Sequence, residues 1–363
     1  MNLSSTTYLL YVGTRTTGDS KGIYVYSYDA KSAELNCLGL AVETLNPTFL
    51  AVDQGERILY SVNEVSDYEG GTSGAISAFA INRATGQLSK INQIASGGAD
   101  PCYLSLDKTE KYALVANYSG GSVAVFPLLT DGALADATAF IQPAGVGTNL
   151  ERQEGAHPHW IETTPDNRFA LVADLGLDKI FVYRFDSSQG TLAPNKPPFV
   201  KLQAGSGPRH ITLHPNGKLL YVINELASTL TVISFDASSG SLTVLQTISS
   251  LPTGFSGPND AAEIHIHPNG KFLLGSNRGH DSIGVFSIAP TTGNLALVCH
   301  APTQGRTPRN FEFDLTGSRL LVANQNGNNI VVFEIDGQTG GLTPAGQQLS
   351  VPCPVSLRFV TAR

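Results

Sequence analysis

The sequence has few charged residues and no long apolar run, and each shortage excludes a class of protein. Charged residues make up only 15% of the 363 residues, and the net charge is -7. This balance argues against a nucleic-acid partner and against binding to an anionic membrane. No stretch reaches the roughly 18 consecutive apolar residues of a membrane-spanning helix. The N-terminal segment has no basic region ahead of an apolar one, so we predict no secretory signal.

Cysteine is also scarce. The four cysteines are Cys37, Cys102, Cys299 and Cys353. They show no CxxC spacing, which is typical of reduced thiols and argues against a disulfide framework or a zinc site. We therefore expect a cytoplasmic protein that needs no metal and no other cofactor.

Glycine and proline, by contrast, are plentiful, with 37 and 20 residues, and many of them lie in turns between repeated strand patterns. Apolar strand patterns such as "LLYVINE" and "RLLVANQ" recur along the chain. The seven copies end at Thr14, Asn63, Asn117, Asp174, Asn224, Asn277 and Asn324. Each is followed by a second strand rich in β-branched and aromatic residues, then by a turn and a third strand. A further short strand, often opening with Pro, precedes most of them.

Seven such units of four antiparallel strands predict an all-β, seven-bladed β-propeller, which we expect to form one domain over residues 1–363. We label the strands of each unit a, b, c and d in chain order. The chain starts at a b strand and ends in "CPVSLRFV", which has the pattern of an a strand. The C-terminal strand is therefore expected to pair with the N-terminal blade and close the ring, which removes exposed strand edges.

The long connections of the propeller are predicted to lie on one face. In an a–b hairpin the start of a and the end of b lie side by side, whereas turns such as "HPNGK" lie at the other end. The longest connections, at 64–75, 141–158 and 250–262, are all b–c or d–a loops. Long loops in a compact domain are often functional, so we expect the site at this mouth of the channel.

Comparison of the seven units separates recurring residues from exceptions. The Asn or Asp that ends most b strands recurs, which favours loop capping over chemistry for any one of them. The exceptions carry charge: Arg209 and Arg309 near the start of a strands, and Glu225 and Arg278 directly after b strands. With His159 they predict an anion-binding pocket with an acid/base group. The alternative is a set of interblade ion pairs, for example Arg209 with Glu225.

Other chemistries find weaker support. His265 and His267 could chelate zinc from one strand face, but His267 occupies a position before the a–b turn that other units fill with Asp or His. A pair formed by His157 and His159 lacks an evident third metal ligand. Cys102 has no neighbour in the sequence that indicates a lowered thiol pKa. Nucleophile-elbow, phosphate-loop and EF-hand motifs are all missing from the sequence.

Several motifs together resemble one family. They are "YVGT" (11–14), "AHPHW" (156–160), "GPRHITLHPNGK" (207–218), "YVINE" (221–225), "AEIHIHPNGKFLLGSNRG" (262–279) and "TPRNFEFD" (307–314). The chain resembles the lactonase family of seven-bladed β-propellers, which is of the 6-phosphogluconolactonase type and is related to fungal carboxy-cis,cis-muconate cyclase. The resemblance covers essentially residues 7–360.

The resemblance implies a catalytic set of His159, Arg209, Glu225 and Arg278. The substrate-binding residues that we predict around this set are His157, His210, Asn224, Glu263, Asn277 and Arg309. The implied reaction is hydrolysis of 6-phospho-D-glucono-1,5-lactone to 6-phosphogluconate, the second step of the pentose phosphate pathway. Arginines would hold the phosphate and the developing oxyanion, and either His159 or Glu225 would activate water.

Two other functions stay open at this stage. One is a cyclase-like or other enzyme acting on a carboxylated lactone, because the same arginines would bind a carboxylate. The other is a non-catalytic propeller that binds a ligand or a protein. We expect a small anionic lactone as the partner, no nucleic acid and no membrane, and a monomer or weak dimer.

Overall fold

The protein is a ring of seven four-stranded antiparallel sheets, seen in a computed structural model that describes residues 7–362. The innermost strands of neighbouring sheets contact each other in a closed cycle around a central channel. The predicted all-β, seven-bladed propeller is therefore confirmed, including its four strands per blade.

The strands of each blade are given from the channel outwards. Blade 1 contains β28 (Pro354–Thr361), β1 (Thr7–Thr14), β2 (Gly22–Asp29) and β3 (Leu35–Glu43); blade 2, β4 (Leu50–Val52), β5 (Ile58–Asn63), β6 (Ala75–Ile81) and β7 (Leu88–Ala95); blade 3, β8 (Pro101–Leu106), β9 (Tyr112–Asn117), β10 (Ser122–Pro127) and β11 (Ala139–Ile141); blade 4, β12 (Pro158–Thr163), β13 (Phe169–Asp174), β14 (Lys179–Asp186) and β15 (Thr191–Lys201); blade 5, β16 (Pro208–Leu213), β17 (Leu219–Asn224), β18 (Thr229–Asp236) and β19 (Ser241–Ser249); blade 6, β20 (Asp260–Ile266), β21 (Phe272–Arg278), β22 (Ser282–Ile288) and β23 (Leu295–Pro302); blade 7, β24 (Pro308–Phe313), β25 (Arg319–Asn324), β26 (Asn329–Ile335) and β27 (Leu342–Ser350). A short 3₁₀ segment, Tyr68–Gly70, lies in the b–c loop of blade 2.

The C-terminal strand closes the ring as the sequence predicts. β28 pairs antiparallel with β1, with Tyr8 opposite Thr361 and Val12 opposite Leu357. Leu357 is completely buried, and it packs in the same apolar cluster as Val12. The first blade is therefore assembled from both ends of the described chain.

The b strands are buried on both faces because each blade is covered by its two neighbours. Every residue of β9 and β13 is buried, although these strands are only six residues long. Apart from a final Asn or Asp, they consist of Ala, Val, Leu and one aromatic residue, which suits a strand with no solvent-exposed face. Each fully buried Val or Leu contributes about 1.5–3 kcal/mol to folding relative to an exposed one, so the interblade layers dominate stability.

The a–b turns are built by a polar residue at the end of the a strand. His214 and His267 each accept a backbone N–H from the residue two positions later, at 3.1 Å. Gly217 and Gly270 then take left-handed φ values of 68° and 72°, which glycine adopts without a steric penalty. The prediction that His267 caps a turn is thus confirmed, and its other ring nitrogen lies 2.9 Å from the carbonyl oxygen of Gly317.

Candidate active site

An irregularity of the inner strands directs side chains into one mouth of the channel. In blade 5, Pro208 pairs with Asn224 and His210 pairs with Ile223, so Arg209 has no partner residue on the b strand. A bulge of this kind bends the strand and changes the direction of the side chain. The residues skipped in the same way in other blades are Cys102, His159, Arg309 and Val355. The bulges bring His159, Arg209 and Arg309 to the face of the long loops.

Glu225 lies at the same mouth because it directly follows β17. Its backbone N–H donates to the carbonyl of Gly207, 2.7 Å away, at the start of the a strand. Its buried carboxylate is surrounded by arginines. Arg152 Nη2 lies 2.5 Å from Oε1, and Arg278 Nη2 and Arg209 Nε lie 2.8 and 3.0 Å from Oε2. The prediction that the start of an a strand and the end of the following b strand lie side by side is therefore confirmed.

This arrangement makes Glu225 a permanent anion. Burial alone would raise the pKa of the carboxyl, but the guanidinium groups of Arg278, Arg209 and Arg152 outweigh burial and lower it to about 2. A carboxylate with this pKa holds cations well and accepts a proton poorly near neutral pH.

Glu64 forms a second, smaller group with two arginines. Arg15 makes a direct ion pair with Glu64 Oε1, and Arg309 Nη2 lies 3.9 Å from Oε2. Within residues 7–362, the Arg309 guanidinium donates no hydrogen bond, although its side chain is only 15% exposed. Burial and the nearby charge of Arg209 lower the pKa of Arg309. Arg309 is therefore a cation whose charge is poorly compensated by the protein.

His159 stands beside these cations as a neutral imidazole. Burial, followed by the charge of Arg209, holds its pKa well below the ordinary 6.5. Its ring lies 5.1 Å from the ring of His210 and 5.6 Å from that of Tyr118. Its Nδ1 atom is buried without a hydrogen-bond partner. A neutral imidazole has one nitrogen without a hydrogen, and this is the group that accepts a proton in general-base catalysis.

Comparison with known proteins agrees with this geometry. The family model described as "Lactonase, 7-bladed beta-propeller" matches residues 9–359. The chain is 36% identical to the 6-phosphogluconolactonase of Bacillus subtilis (strain 168) over 361 residues, which covers 98% of this chain and 99% of that protein. It is 37% identical to the 6-phosphogluconolactonase of Formosa agariphila over 362 residues, covering 97% and 99%. The chain belongs to the lactonase family of seven-bladed β-propellers.

Solved structures support the same family assignment. The periplasmic gluconolactonase of Pseudomonas aeruginosa superposes with a TM-score of 0.92 at 35% identity, covering 98% of this chain and all of that one. This lactonase is therefore a lactone-opening hydrolase by family. Within residues 7–362, no helix is long and apolar enough to cross a membrane.

Two predicted site residues of the lactonase lie one position further along the inner strands, away from the loop face. His210 and Glu263 are both buried, and His210 Nδ1 lies 2.8 Å from Glu263 Oε1. Their polar atoms contact protein groups: Arg209 approaches His210, and Asn310 approaches Glu263. Both residues are engaged with other protein groups, and the contact with substrate predicted for them stays a prediction.

The two asparagines of the predicted binding set donate to neighbouring protein groups. Asn224 Nδ2 donates to the hydroxyls of Thr229 and Thr231, both at 2.9 Å. Asn277 Nδ2 donates to the carbonyl of Ser250 at 2.9 Å. The capping interpretation of the recurring Asn is confirmed at Asn277, whereas Asn224 bonds side chains of the adjacent c strand. Contact with substrate stays a prediction at both positions.

His157 lies at the edge of the mouth. Its ring stacks on Tyr118 at 4.6 Å, its Nδ1 lies 2.9 Å from the carbonyl oxygen of Tyr118, and its Nε2 lies 3.0 Å from a carboxylate oxygen of Glu154. These contacts orient Tyr118, whose hydroxyl lies 3.4 Å from Arg152. A supporting role therefore fits the geometry of His157 better than direct chemistry.

Arg152 is the residue that the strand comparison misses. It belongs to the d–a loop of residues 141–158, which is longer than the d–a loops of the other blades. The neighbouring Gln153 fixes this loop, since its buried amide donates to Leu175 and Asp178 and its carbonyl oxygen accepts the N–H groups of Thr148 and Asn149. The sequence feature that could have identified Arg152 is its position: it is a basic residue next to this anchor, in the longest loop of the predicted face.

The ion-pair alternative is partly correct. Arg209 and Glu225 do approach each other, but both belong to blade 5. The prediction that they form an interblade pair is therefore wrong. Arg278 of blade 6 and Arg152 of the loop before blade 4 extend it across blades. The cluster holds the mouth together and concentrates positive charge there.

The rival chemistries gain no support from the geometry. Cys102 is buried, and burial raises the pKa of its thiol, which makes it a poor nucleophile. Within the described part of the chain, no three His, Cys, Asp or Glu side chains are grouped so as to hold a metal ion.

A cavity of about 410 Å³ opens towards the turn face of the channel. Its charged lining residues pair with protein groups: Lys108 with Glu162 at 2.8 Å, and Arg358 with Glu312 at 2.7 Å. Such paired charges leave no free cation for an anionic ligand. The loop-face mouth, where the charge of Arg309 is poorly compensated, is the better candidate for the active site.

Proposed function

We propose that this lactonase hydrolyses 6-phospho-D-glucono-1,5-lactone to 6-phosphogluconate at the loop-face mouth. The single observation that carries the proposal is the charge of this mouth, where five arginines face two glutamates. They are Arg15, Arg152, Arg209, Arg278 and Arg309, against Glu64 and Glu225, and the half-exposed Asp260 lies 3.7 Å from Arg152. The two relatives named 6-phosphogluconolactonase support the same substrate.

Arg309 is the residue we assign to the phosphate. Arg209 and Arg278 are already tied to Glu225 and to backbone carbonyls, with Arg209 Nη1 2.8 Å from the carbonyl oxygen of Ala262. Arg309 has no such hydrogen bond, so its guanidinium can form the paired contacts that suit a phosphate. Arg209 and Arg278 then supply a fixed positive field for the oxyanion that develops at the lactone carbonyl.

His159 is the general base in this mechanism, and Glu225 is not. Glu225 has a pKa of about 2 and is neutralised by three arginines. The pKa of His159 is low in the free protein because the ring is buried and, in second place, because it lies among cations. A bound phosphate compensates those cations and raises the basicity of the imidazole, so substrate binding itself prepares the base.

The reaction proceeds by addition and elimination. A water oxygen attacks the carbonyl carbon while His159 takes one of its protons, and the carbonyl oxygen becomes an oxyanion. When the oxyanion collapses, the bond from the carbonyl carbon to the ring oxygen breaks. The protonated His159 gives its proton to that ring oxygen, which leaves a hydroxyl group and a carboxylic acid that ionises. Acid/base help of this kind contributes about 100- to 10,000-fold to a rate.

The proposal is tested with a panel of lactones, measured by coupled oxidation of 6-phosphogluconate and by acid release. The panel contains phosphorylated and unphosphorylated gluconolactone and a carboxylated lactone. We expect His159→Asn to lower kcat by about 100-fold or more. Arg309→Met should raise KM for the phosphorylated lactone far more than for the unphosphorylated one. His214→Asn, which changes a turn on the opposite face, is the control.

Wild-type rates in both site variants would overturn the assignment of the mouth. A wild-type protein that prefers the unphosphorylated lactone would instead favour the chemistry named for the Pseudomonas aeruginosa structure. Preference for the carboxylated lactone would favour the cyclase-like alternative.

We also propose that the reaction takes place in the cytoplasm, as a step of the pentose phosphate pathway. The four cysteines support a reducing compartment, because all of them are unpaired in the structure.

A further inference from the structure

A buried chain of polar side chains runs from the mouth into three successive blades. Arg209 Nη1 lies 3.2 Å from His210 Nε2, and His210 Nδ1 lies 2.8 Å from Glu263 Oε1. Asn310 Nδ2 lies 2.5 Å from Glu263 Oε2. All four side chains are almost completely excluded from solvent. Buried polar networks of this kind are costly unless every group is satisfied.

Each proton in this chain has a determined place. A guanidinium can only donate, so His210 Nε2 must accept from Arg209. His210 Nδ1 then carries the proton and donates it to Glu263, which must be an ionised carboxylate. The second oxygen of Glu263 accepts from Asn310, whose own carbonyl oxygen is used by the N–H of Leu357 at 3.0 Å. The amide of Asn310 therefore cannot turn round without losing a hydrogen bond.

The chain determines how Arg209 is oriented. One terminal nitrogen of the guanidinium is shared between His210 and the carbonyl of Ala262. Its Nε atom lies 3.0 Å from Glu225 but is not aligned for a hydrogen bond with it. The hydrogen bonds that orient the guanidinium plane are therefore those with His210 and Ala262, and the contact with Glu225 is an ion pair without an aligned hydrogen bond.

We propose that Glu263 and His210 are positioning residues, which hold Arg209 in the orientation needed for the oxyanion. They act through Arg209 and do not touch the substrate. The inference rests on the proposed function for its effect on rate, whereas the state of the His210 ring can be measured without any substrate.

The decisive variant is Glu263→Gln, which keeps the shape of the side chain and changes its polarity. If the new amide points its NH₂ group at His210, the ring must accept there and turn its own N–H towards Arg209. If the amide is turned round, its NH₂ group faces the NH₂ group of Asn310. Either orientation breaks the chain at one contact. We expect kcat/KM for the lactone to fall by about 10- to 100-fold, as for other outer residues that orient an active-site group.

The double variant E263Q/N310D should restore the chain. The introduced carboxylate at position 310 can accept from the NH₂ group of the amide at 263 and from the N–H of Leu357. The amide oxygen at 263 then accepts from His210, which regains its original tautomer. We expect most of the lost kcat/KM to return. The double variant has the same net charge as wild type, and neither change touches the mouth.

Two readouts separate this role from a general loss of stability. Nitrogen-15 NMR of the histidine rings, with the His210 signals assigned from H210Q, reports which ring nitrogen carries the proton. We expect an Nδ1–H ring in wild type and in the double variant, and a changed ring in E263Q. Glu312→Gln is the matched control, because it removes a carboxylate from an inner strand that pairs with Arg358 at the other end of the channel.

An E263Q protein with the wild-type ring state and kcat/KM within twofold of wild type would overturn the proposal. So would a folded double variant that regains the Nδ1–H ring without regaining activity. If wild type hydrolyses no lactone of the panel, the proposed function fails, whereas the ring states still test whether Glu263 fixes His210. Should the double variant not fold, the ring state of E263Q alone decides.

Discussion

Glu225 shows how one residue can organise a site without taking part in proton transfer. Its carboxylate contacts Arg152, Arg209 and Arg278, which come from three separate parts of the chain. Like charges at this distance would repel one another strongly if the carboxylate were removed, because the surroundings are poorly hydrated. The residue is therefore as important for folding as for the charge of the mouth.

We expect Glu225→Gln to lower the free energy of unfolding by about 3 kcal/mol at pH 7, since breaking a buried ion pair leaves uncompensated charge. The native state lowers the pKa of this carboxyl from 4.5 to about 2. Its contribution is thus complete above pH 4.5 and is lost as the pH falls towards 2. The difference between wild type and variant should shrink over that interval.

Urea unfolding at pH 7, 5 and 3 measures this difference. Glu334→Gln is the control, because Glu334 is exposed on β26 and forms no ion pair within residues 7–362. Equal stability of wild type and Glu225→Gln at pH 7 would contradict the proposed role.

Much of the site could be predicted from the sequence because the seven repeated units can be aligned with one another. Seven equivalent positions allow an unusual charge to be recognised, and this comparison identifies Arg209, Glu225 and Arg278. It misses Arg152, which lies in a loop that does not repeat. A strand pattern gives the position of a residue but not its depth behind the bulge, so the substrate contact predicted for His210 stays a prediction.

At the scale of elements, the a–b turns share one backbone conformation, although the residue types at equivalent positions differ. The fourth residue of the turn, counted from the polar residue that begins it, takes a left-handed φ. It is Gly217 in one blade, with φ 68°, and Glu110 and Asn167 in two others, with φ 55° and 59°. Such a backbone costs about 1–2 kcal/mol for a residue with a side chain. The residue that begins the turn compensates by accepting backbone N–H groups.

Asp107 is the clearest example, and Asp107→Ala should be costly. One carboxylate oxygen accepts the N–H groups of Lys111 and Tyr112, at 2.8 and 2.9 Å, and the other accepts from Thr109 and Asn167. We expect a loss of about 2 kcal/mol in the free energy of unfolding. The turn lies on the face opposite the arginines, so kcat should not change.

Thermal unfolding and lactone hydrolysis, measured on the same preparation, check this prediction. Asp186→Ala is the control: Asp186 caps an exposed c–d turn through Ser188, and we expect a smaller loss of stability there. A fall in kcat for Asp107→Ala without a change in melting temperature would contradict the assignment of the two faces.

At the scale of the whole molecule, stability depends on closure of the ring. The blade number and the closing strand could be predicted, because the repeat leaves an unpaired b strand at one end and an unpaired a strand at the other. The bulges could not, since a bulge changes backbone pairing without changing the apolar pattern of the strand. The blade-to-blade apolar layers are continuous, so a missing strand would expose the apolar surface of two blades.

The closing strand should tolerate a change of position in the sequence but not its removal. Deleting residues 352–363 exposes β1, and we expect loss of cooperative unfolding and association that grows with concentration, because an open edge can pair with other chains. In a matched circular permutant the same residues are moved ahead of residue 1, so that β28 precedes β1 in the chain, with residues 362–363 and 1–6 between them.

Because Thr361 already pairs with Tyr8, the two strands are positioned to form a hairpin when joined. The permutant should therefore keep the melting temperature within a few degrees and the lactonase activity of the original chain. Calorimetry, light scattering and hydrolysis rates compare the two proteins. A folded, monomeric deletion variant would show that the blades hold together without closure. A permutant that cannot fold would show that the order of the strands matters, and not only their presence in the ring.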